Sequence, residues 1–227
     1  MAEELETTEG LQDKLNNVEA FVEEKKKPLM IAGGVVLVLV LAVVYVFAKW
    51  LPDRELKAQN DIMMAQFAFE KDSFDIALNG RSAGNGKAFK GFIQVANAYS
   101  FTKTAKLANL YAGECYLNLK KYQDAITYLE KGNVSDPILG AVRLSAIGDA
   151  YSETGKMDEA INYYEKAADY SENDKYTPFY LFKAGLANEK LNKKAEAKKL
   201  YEKIRDNYPN SDEGMQIEKY IIRVSGS

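Results

Sequence analysis

The sequence predicts an all-α chain: one N-terminal apolar helix, then a solenoid of about three regular helical hairpins, with a degenerate pair before them and a capping helix after them. Two observations carry the architecture and a third limits the chemistry. Gly113, Tyr116 and Ala125 recur thirty-five residues on as Gly148, Tyr151 and Ala160, and again, imperfectly, as Gly185, Asn188 and Ala197. Residues 29–48, LMIAGGVVLVLVLAVVYVFA, carry no charge. The chain has no histidine and a single cysteine.

Taken in chain order, residues 1–28 hold eight acids and four lysines, so the formal charge of −3 sits in this tail and the rest is close to neutral. No basic face follows, which argues against a nucleic-acid partner. Residues 1–9 read as disordered. Leu11, Leu15, Val18 and Val22 have helical spacing, so residues 10–24 read equally as a short amphipathic helix or as a solvated tail. Twenty residues at a rise of 1.5 Å span roughly 30 Å, the thickness of a bilayer core, so the apolar run reads as a membrane span. Lys25, Lys26 and Lys27 on one side and Lys49 on the other bracket it, and Tyr45 and Trp50 sit at an interfacial belt. The long hydrophilic tail ahead of the run argues for an uncleaved anchor, although Val46-Phe47-Ala48 would pass for the cleavage site of a removed leader. Lysine and arginine counts on the two flanks favour a cytoplasmic tail only slightly.

After Pro52 a charged helical segment leads into residues 62–74, rich in Met and Phe; residues 79–87 (NGRSAGNGK) read as a glycine-broken loop, and residues 89–99 as another apolar helix. Residues 54–99 thus form the degenerate pair. The turns of the regular hairpins read LKKYQDA, TGKMDEA and LNKKAEA. Asp136-Pro137 and Thr177-Pro178 each place a capping side chain before a proline at a helix start. A final helix over 212–224 covers the last hairpin through Ile217, Tyr220 and Ile221, with Glu213, Glu218, Lys219 and Arg223 facing water. The organisation is a tail over 1–28, a span over 29–50, a juxtamembrane segment and degenerate hairpin over 51–104, and the repeats with their cap over 105–224.

Within a hairpin, Gly113 and Gly148 let one helix approach its partner, Ala125 and Ala160 do so from the other side, and the tyrosines fill the seam. Leu129, Tyr164 and Tyr201 share one slot late in the second helix, and Pro137 and Pro209 close the first and third units. This pattern resembles the tetratricopeptide repeat over about half the chain. Asn188 departs from it where an aromatic is usual, which predicts looser packing of the third hairpin. Cys115 falls between two packing slots and reads as core filler, compatible with either redox compartment.

The resemblance implies a groove lined by the first helix of each hairpin. Matched residue by residue, it places there Leu107, Leu110, Glu114, Leu117 and Asn118 from the first unit, Val142, Ser145, Asp149 and Ser152 from the second, and Phe179, Phe182, Lys183, Leu186 and Glu189 from the third. For each apolar position, Leu110 and Phe182 above all, packing between hairpins is an equal alternative. The family's lysine and asparagine clamp for a C-terminal carboxylate is not reproduced: Leu110, Glu114, Ala146 and Phe179 occupy its slots and only Lys183 is basic. A mixed apolar and acidic groove suits extended or helical apolar segments instead. Nothing points to catalysis, a metal or a cofactor. Gly86-Lys87 has the wrong glycine spacing for a phosphate loop, and Ala88 stands where Ser or Thr would be needed.

The stretches FEKDSFDIALNG (69–80), LANLYAGECYLNLKKYQDAITYL (107–129) and AIGDAYSETGKMDEAINYYEKAAD (146–169), with the single span, are similar to the YfgM-like inner-membrane proteins of Gram-negative bacteria, in the branch found in Bacteroidota. The tail is longer and more acidic than that architecture requires. The resemblance implies a non-catalytic accessory of the SecYEG translocon, with a cytoplasmic tail and periplasmic repeats that meet exported chains or a membrane-bound chaperone like PpiD. Two rivals stay open: a membrane-anchored scaffold for another envelope assembly (cell division, outer-membrane biogenesis or a dedicated secretion system), and an enzyme whose motifs are concealed.

Overall fold

The computed structural model describes residues 25–170 and 172–226. The acidic segment 1–9 and the segment 10–24 lie outside the described residues. The chain forms two compact units, Met1–Asp53 and Arg54–Ser227.

In the first unit, α1 (Lys26–Tyr45) passes into a π-helical turn at Val46–Trp50. The Ile, Val and Leu side chains from Ile31 to Val44 are each more than half exposed. Among the described residues this is the one stretch long and apolar enough to cross a membrane. A membrane span and an N-terminal signal sequence share this length and composition.

The second unit begins in α2 (Leu51–Glu70), which buries Ala58, Ile62, Ala65 and Ala68. A short α3 (Phe74–Asn79) follows, then β1 (Gly80–Arg81), β2 (Phe89–Lys90) and α4 (Phe92–Ala98). The predicted loop over 79–87 therefore closes as a two-residue antiparallel ladder, Gly80 opposite Lys90 and Arg81 opposite Phe89. Phe89 and Lys90, expected in a helix, are held extended by that pairing, so α4 starts only after Gly91. Gly80 has φ +79°, and its Cα lies so close to the Gly91 backbone that neither position has room for a Cβ. The Lys90 ammonium lies 2.6 Å from Asp61 Oδ2, to which the Tyr99 hydroxyl also donates at 2.6 Å, pinning the ladder to α2.

Three antiparallel hairpins follow: α5 (Lys103–Asn118) with α6 (Tyr122–Lys131), α7 (Pro137–Glu153) with α8 (Met157–Tyr170), and α9 (Thr177–Lys190) with α10 (Lys194–Asn207). Their turns share one geometry. Lys120, Gly155 and Asn192 have φ of 58°, 77° and 59°. The next amide bonds back across the turn, Lys121 to the Tyr116 carbonyl, Lys156 to Tyr151 and Lys193 to Asn188, at 2.8–2.9 Å. This is a left-handed helix stop with a six-to-one hydrogen bond. Asp72 repeats it, with φ 54° and the Ser73 amide on the Ala68 carbonyl at 3.0 Å. Five residues past each turn stands an alanine with no exposed surface: Ala77, Ala125, Ala160 and Ala197. The degenerate pair is thus a fourth hairpin in the same register, whose second helix is interrupted at Asn79 by the β-ladder.

The glycines meet the residues that the repeat pattern assigns to them. A Cβ on Gly113 would collide with Leu129, on Gly148 with Tyr164 and on Gly185 with Tyr201. Tyr116–Tyr128 and Tyr151–Tyr163 fill the seams at centroid distances of 5.1 and 5.5 Å. Asn188, expected to loosen the third hairpin, is buried and donates to the Ala184 carbonyl at 3.0 Å. Replacing Gly148 with Leu would place a Cβ 2.6 Å from the Tyr164 ring. A loss of about 1–3 kcal/mol is expected from overpacking, read as a lower urea midpoint; an unchanged midpoint would contradict this packing.

Helix starts are capped as expected at Asp136, whose carboxylate accepts from the Leu139 amide at 2.8 Å. Thr177 behaves differently. It lies inside α9, its hydroxyl accepting from the Asn173 amide at 2.9 Å, while Asn173 Oδ1 accepts from the Lys175 and Tyr176 amides. The capping oxygen has moved one turn upstream because Thr177 is buried between hairpins. The single helix expected over 212–224 is a 3₁₀ turn (Gly214–Gln216) followed by α11 (Glu218–Ser225). Ser211 Oγ accepts from the Gly214 amide at 2.9 Å and holds that turn apart. Ile217, Ile221 and Val224 close the last hairpin.

Candidate peptide-binding groove

The first helices α5, α7 and α9 set their side chains at equivalent positions beside one another, and the shared turn register extends the row to α2. Shifting back forty-eight residues, from Lys120 to Asp72, maps Leu107, Leu110 and Glu114 onto Gln59, Ile62 and Gln66. An open cavity of about 760 Å³ lies where these two helices meet the α6–α7 turn, floored by Ile62, Leu107, Val134 and Pro137, with Lys103 and Lys106 at its rim. Glu55, also on its wall, is committed to structure. Its carboxylate accepts from the Lys103 amide at 2.7 Å and the Thr104 hydroxyl at 2.6 Å, while Thr102 Oγ1 accepts from the Ala105 amide at 3.0 Å. The start of α5 is thereby capped twice.

At the centre of the row the structure brings together Glu114, Ser145, Asp149 and Lys183, one or two residues from each regular hairpin. The Lys183 ammonium donates to both Asp149 carboxylate oxygens, at 2.6 and 2.7 Å, and to Ser145 Oγ at 3.1 Å. Tyr164, from the second helix of its hairpin, donates its hydroxyl to Asp149 Oδ1 at 2.7 Å. Lys183 also lies 5.1 Å from the Tyr164 ring centroid and 5.0 Å from that of Phe179. Burial pushes the Glu114 carboxyl up to about 7, and the Asp149 charge adds to this while Lys183 opposes it. The cation at the centre of the row is therefore spent on its own acid, and Glu114 is left as the group whose charge is least favoured.

The other predicted groove residues are distributed unevenly. Leu107, Leu117, Val142, Ser152 and Leu186 are half-buried, while Asn118 and Phe179 are exposed, Asn118 donating back to the Glu114 carbonyl at 2.9 Å. Leu110 and Ser145 are buried, Leu110 because its backbone lies against Gly132. Phe182 and Glu189 are engaged by the cap: Phe182 stands edge-on to Tyr220 at 4.7 Å, and Glu189 accepts from the Tyr201 hydroxyl at 2.5 Å and from Arg223 at 2.9 and 2.6 Å. Arg223, read from sequence as a solvated residue, is an ion-pair partner. Sequence reasoning missed Tyr164, which comes from the second helix, and Gln59 and Gln66; Ala77, in the slot of Ala125, Ala160 and Ala197, marks their hairpin only once the turn at Asp72 is known.

Two protein-family models, both described as tetratricopeptide repeat, match the chain, one over residues 107–131 and 180–211 and the other over residues 144–174. No curated protein matches it. Each matched segment falls mainly on one of the three regular hairpins.

Proposed function

From a chain that carries tetratricopeptide repeats, a scaffold for contacts between proteins, we propose a non-catalytic, membrane-anchored accessory of the SecYEG translocon. The span over 29–50 holds it in a bacterial inner membrane, with the tail in the cytoplasm and the repeats in the periplasm. The groove takes a periplasmic chaperone of the PpiD kind or an emerging secreted chain. The translocon and chaperone rest on the resemblance to YfgM-like proteins. The observation that carries the choice of ligand is the Lys183–Asp149 pair. With that lysine neutralised, the centre of the groove offers no clamp for an acidic tail and presents apolar surface beside Glu114, while Lys103 and Lys106 line the cavity farther along the row. That combination fits apolar segments, such as unfolded exported chains expose.

Affinity purification of the full chain in mild detergent tests the reading. SecY should co-purify, and replacing residues 29–48 with an unrelated span should weaken that recovery. The pair Leu117→Lys with Phe179→Glu should spare SecY and lose the periplasmic partner. Absence of SecY would favour a scaffold for another envelope assembly, and release of SecY by the groove pair alone would make the repeats the docking element. Protease added to spheroplasts should digest the repeats and spare a small N-terminal fragment; protected repeats would reverse the orientation.

A further inference from the structure

We propose that the open N-terminal end of the solenoid is an interface with a second copy of this chain, formed by α2 pairing in parallel with α2 of that copy. In a solenoid each hairpin packs against the one before it, and an end without a neighbour must be covered or made polar. The C-terminal end is covered by α11. At the other end, α2 exposes Leu56, Met63, Met64 and Phe67, at 59%, 61%, 41% and 50% of their surface. The same forty-eight-residue shift maps Leu56, Asn60, Met64 and Phe67 onto Thr104, Ala108, Ala112 and Cys115, all of them buried. These exposed residues therefore occupy stacking positions that have no neighbour among the described residues.

The spacing of the exposed residues points to a helix of the same kind as the occupant. Leu56, Asn60, Met63 and Phe67 are separated by four, three and four residues, the narrow seam of a coiled coil, and the buried residues Ala58, Ile62, Ala65 and Ala68 lie on the opposite face. α2 is thus apolar on two sides, one of which its own domain uses. Asn60, at a core position of the seam, would meet its counterpart, the arrangement that favours two parallel strands because each side amide satisfies the other. The flanks are compatible with a two-fold pairing. Gln59 and Gln66 are neutral, and the seam ends at Phe67, short of Glu70, the exposed last residue of α2. Lys71 already lies 4.2 Å from the Phe67 ring centroid, at the edge of this face. So short a seam buries less than a standard interface, and two copies anchored in one membrane begin with matching direction and reduced freedom to lose. Only the parallel direction rests on the anchored reading.

The full chain in its native membranes tests this with Met63→Cys under mild oxidation; Cys115 is fully buried and gives no background. A disulfide-linked dimer should form at least about tenfold more than with Lys131→Cys, an exposed position on α6. Adding Phe67→Glu to Met63→Cys should abolish the crosslink while leaving the melting curve unchanged, since Phe67 is exposed. Crosslinking no better than at the control, or unaffected by Phe67→Glu, overturns the proposal. So does a crosslink to a polypeptide of different mass, which would assign the end to another protein. If the Met63→Cys chain is instead a monomer whose introduced thiol is shielded from a water-soluble maleimide by lipid vesicles, the proposal is overturned in favour of a lipid surface. Carbonate extraction of the same samples separates the two readings: a chain released by carbonate removes the anchor, and the crosslink still decides the seam.

Discussion

Replacing Tyr201 with alanine should destabilise the Arg54–Ser227 unit by about 3–5 kcal/mol, the range for deleting a large aromatic side chain from a core. The ring has no exposed surface. It lies against Gly185, 6.0 Å from Phe182 and 5.7 Å from Tyr220. One side chain thus joins the two helices of the third hairpin to the cap. The hydroxyl adds a polar link, since burial and the Glu189 carboxylate both push its pKa up. It therefore remains a donor to Glu189, which in turn holds Arg223 on α11. Tyr201→Phe should lose only that hydrogen bond to a charged group, about 1.5–3 kcal/mol. For a domain of this size each kcal/mol lowers the melting temperature by roughly 2–4 °C. Because contacts in a solenoid run between neighbours, the alanine variant should also split the melt, with the third hairpin and cap unfolding ahead of the rest. Equal midpoints for Tyr201→Ala and Tyr201→Phe would mean that the ring does not bridge these elements.

Stability should fall as pH rises from about 4.5 to about 7, and Glu114→Gln should remove most of that fall, the remainder coming from Glu165, whose carboxyl is also pushed up by burial and by Asp169. The folded chain holds the Glu114 carboxyl at about 7, against an ordinary value of 4.5. The folded state therefore binds this proton more tightly than the unfolded one. The contribution is complete below the unfolded value and is lost as pH climbs through the folded value. A shift of that size is worth at most about 3 kcal/mol. Asp61 does not disturb this window: despite the opposing effect of burial, its bonds from Lys90 and Tyr99 hold it below the usual carboxylate range. Urea midpoints of the wild-type chain and Glu114→Gln should converge near pH 4.5 and separate by pH 8, with the glutamine chain the more stable. Parallel profiles would remove Glu114 from the account. The same experiment bears on the groove, because a partner that supplies a positive group beside Glu114 would ionise it on binding and release a proton.

The regular hairpins were legible because their constraint is local and repeated. A glycine facing a bulky residue sixteen positions on, and an alanine on the other helix, recur wherever two helices must approach closely. The fourth hairpin was obscured because Ala65 and Ala68 replace the glycine and tyrosine, and an inserted ladder interrupts its second helix. What identifies it is Asp72, whose left-handed backbone no composition rule would have singled out from a charged turn. The groove was legible as a set of positions but not as a charge distribution.

The sequence by itself determined the helical class, the repeat spacing and a stretch of bilayer length, since each follows from the period of apolar and small residues along one chain. Only the tertiary structure decided that Lys183 is neutralised by Asp149, that Glu189 and Arg223 serve the cap, and that α2 keeps a second apolar face uncovered. Those depend on which side chains from distant turns come within hydrogen-bonding or van der Waals reach, and periodicity along the chain does not encode the distance across it.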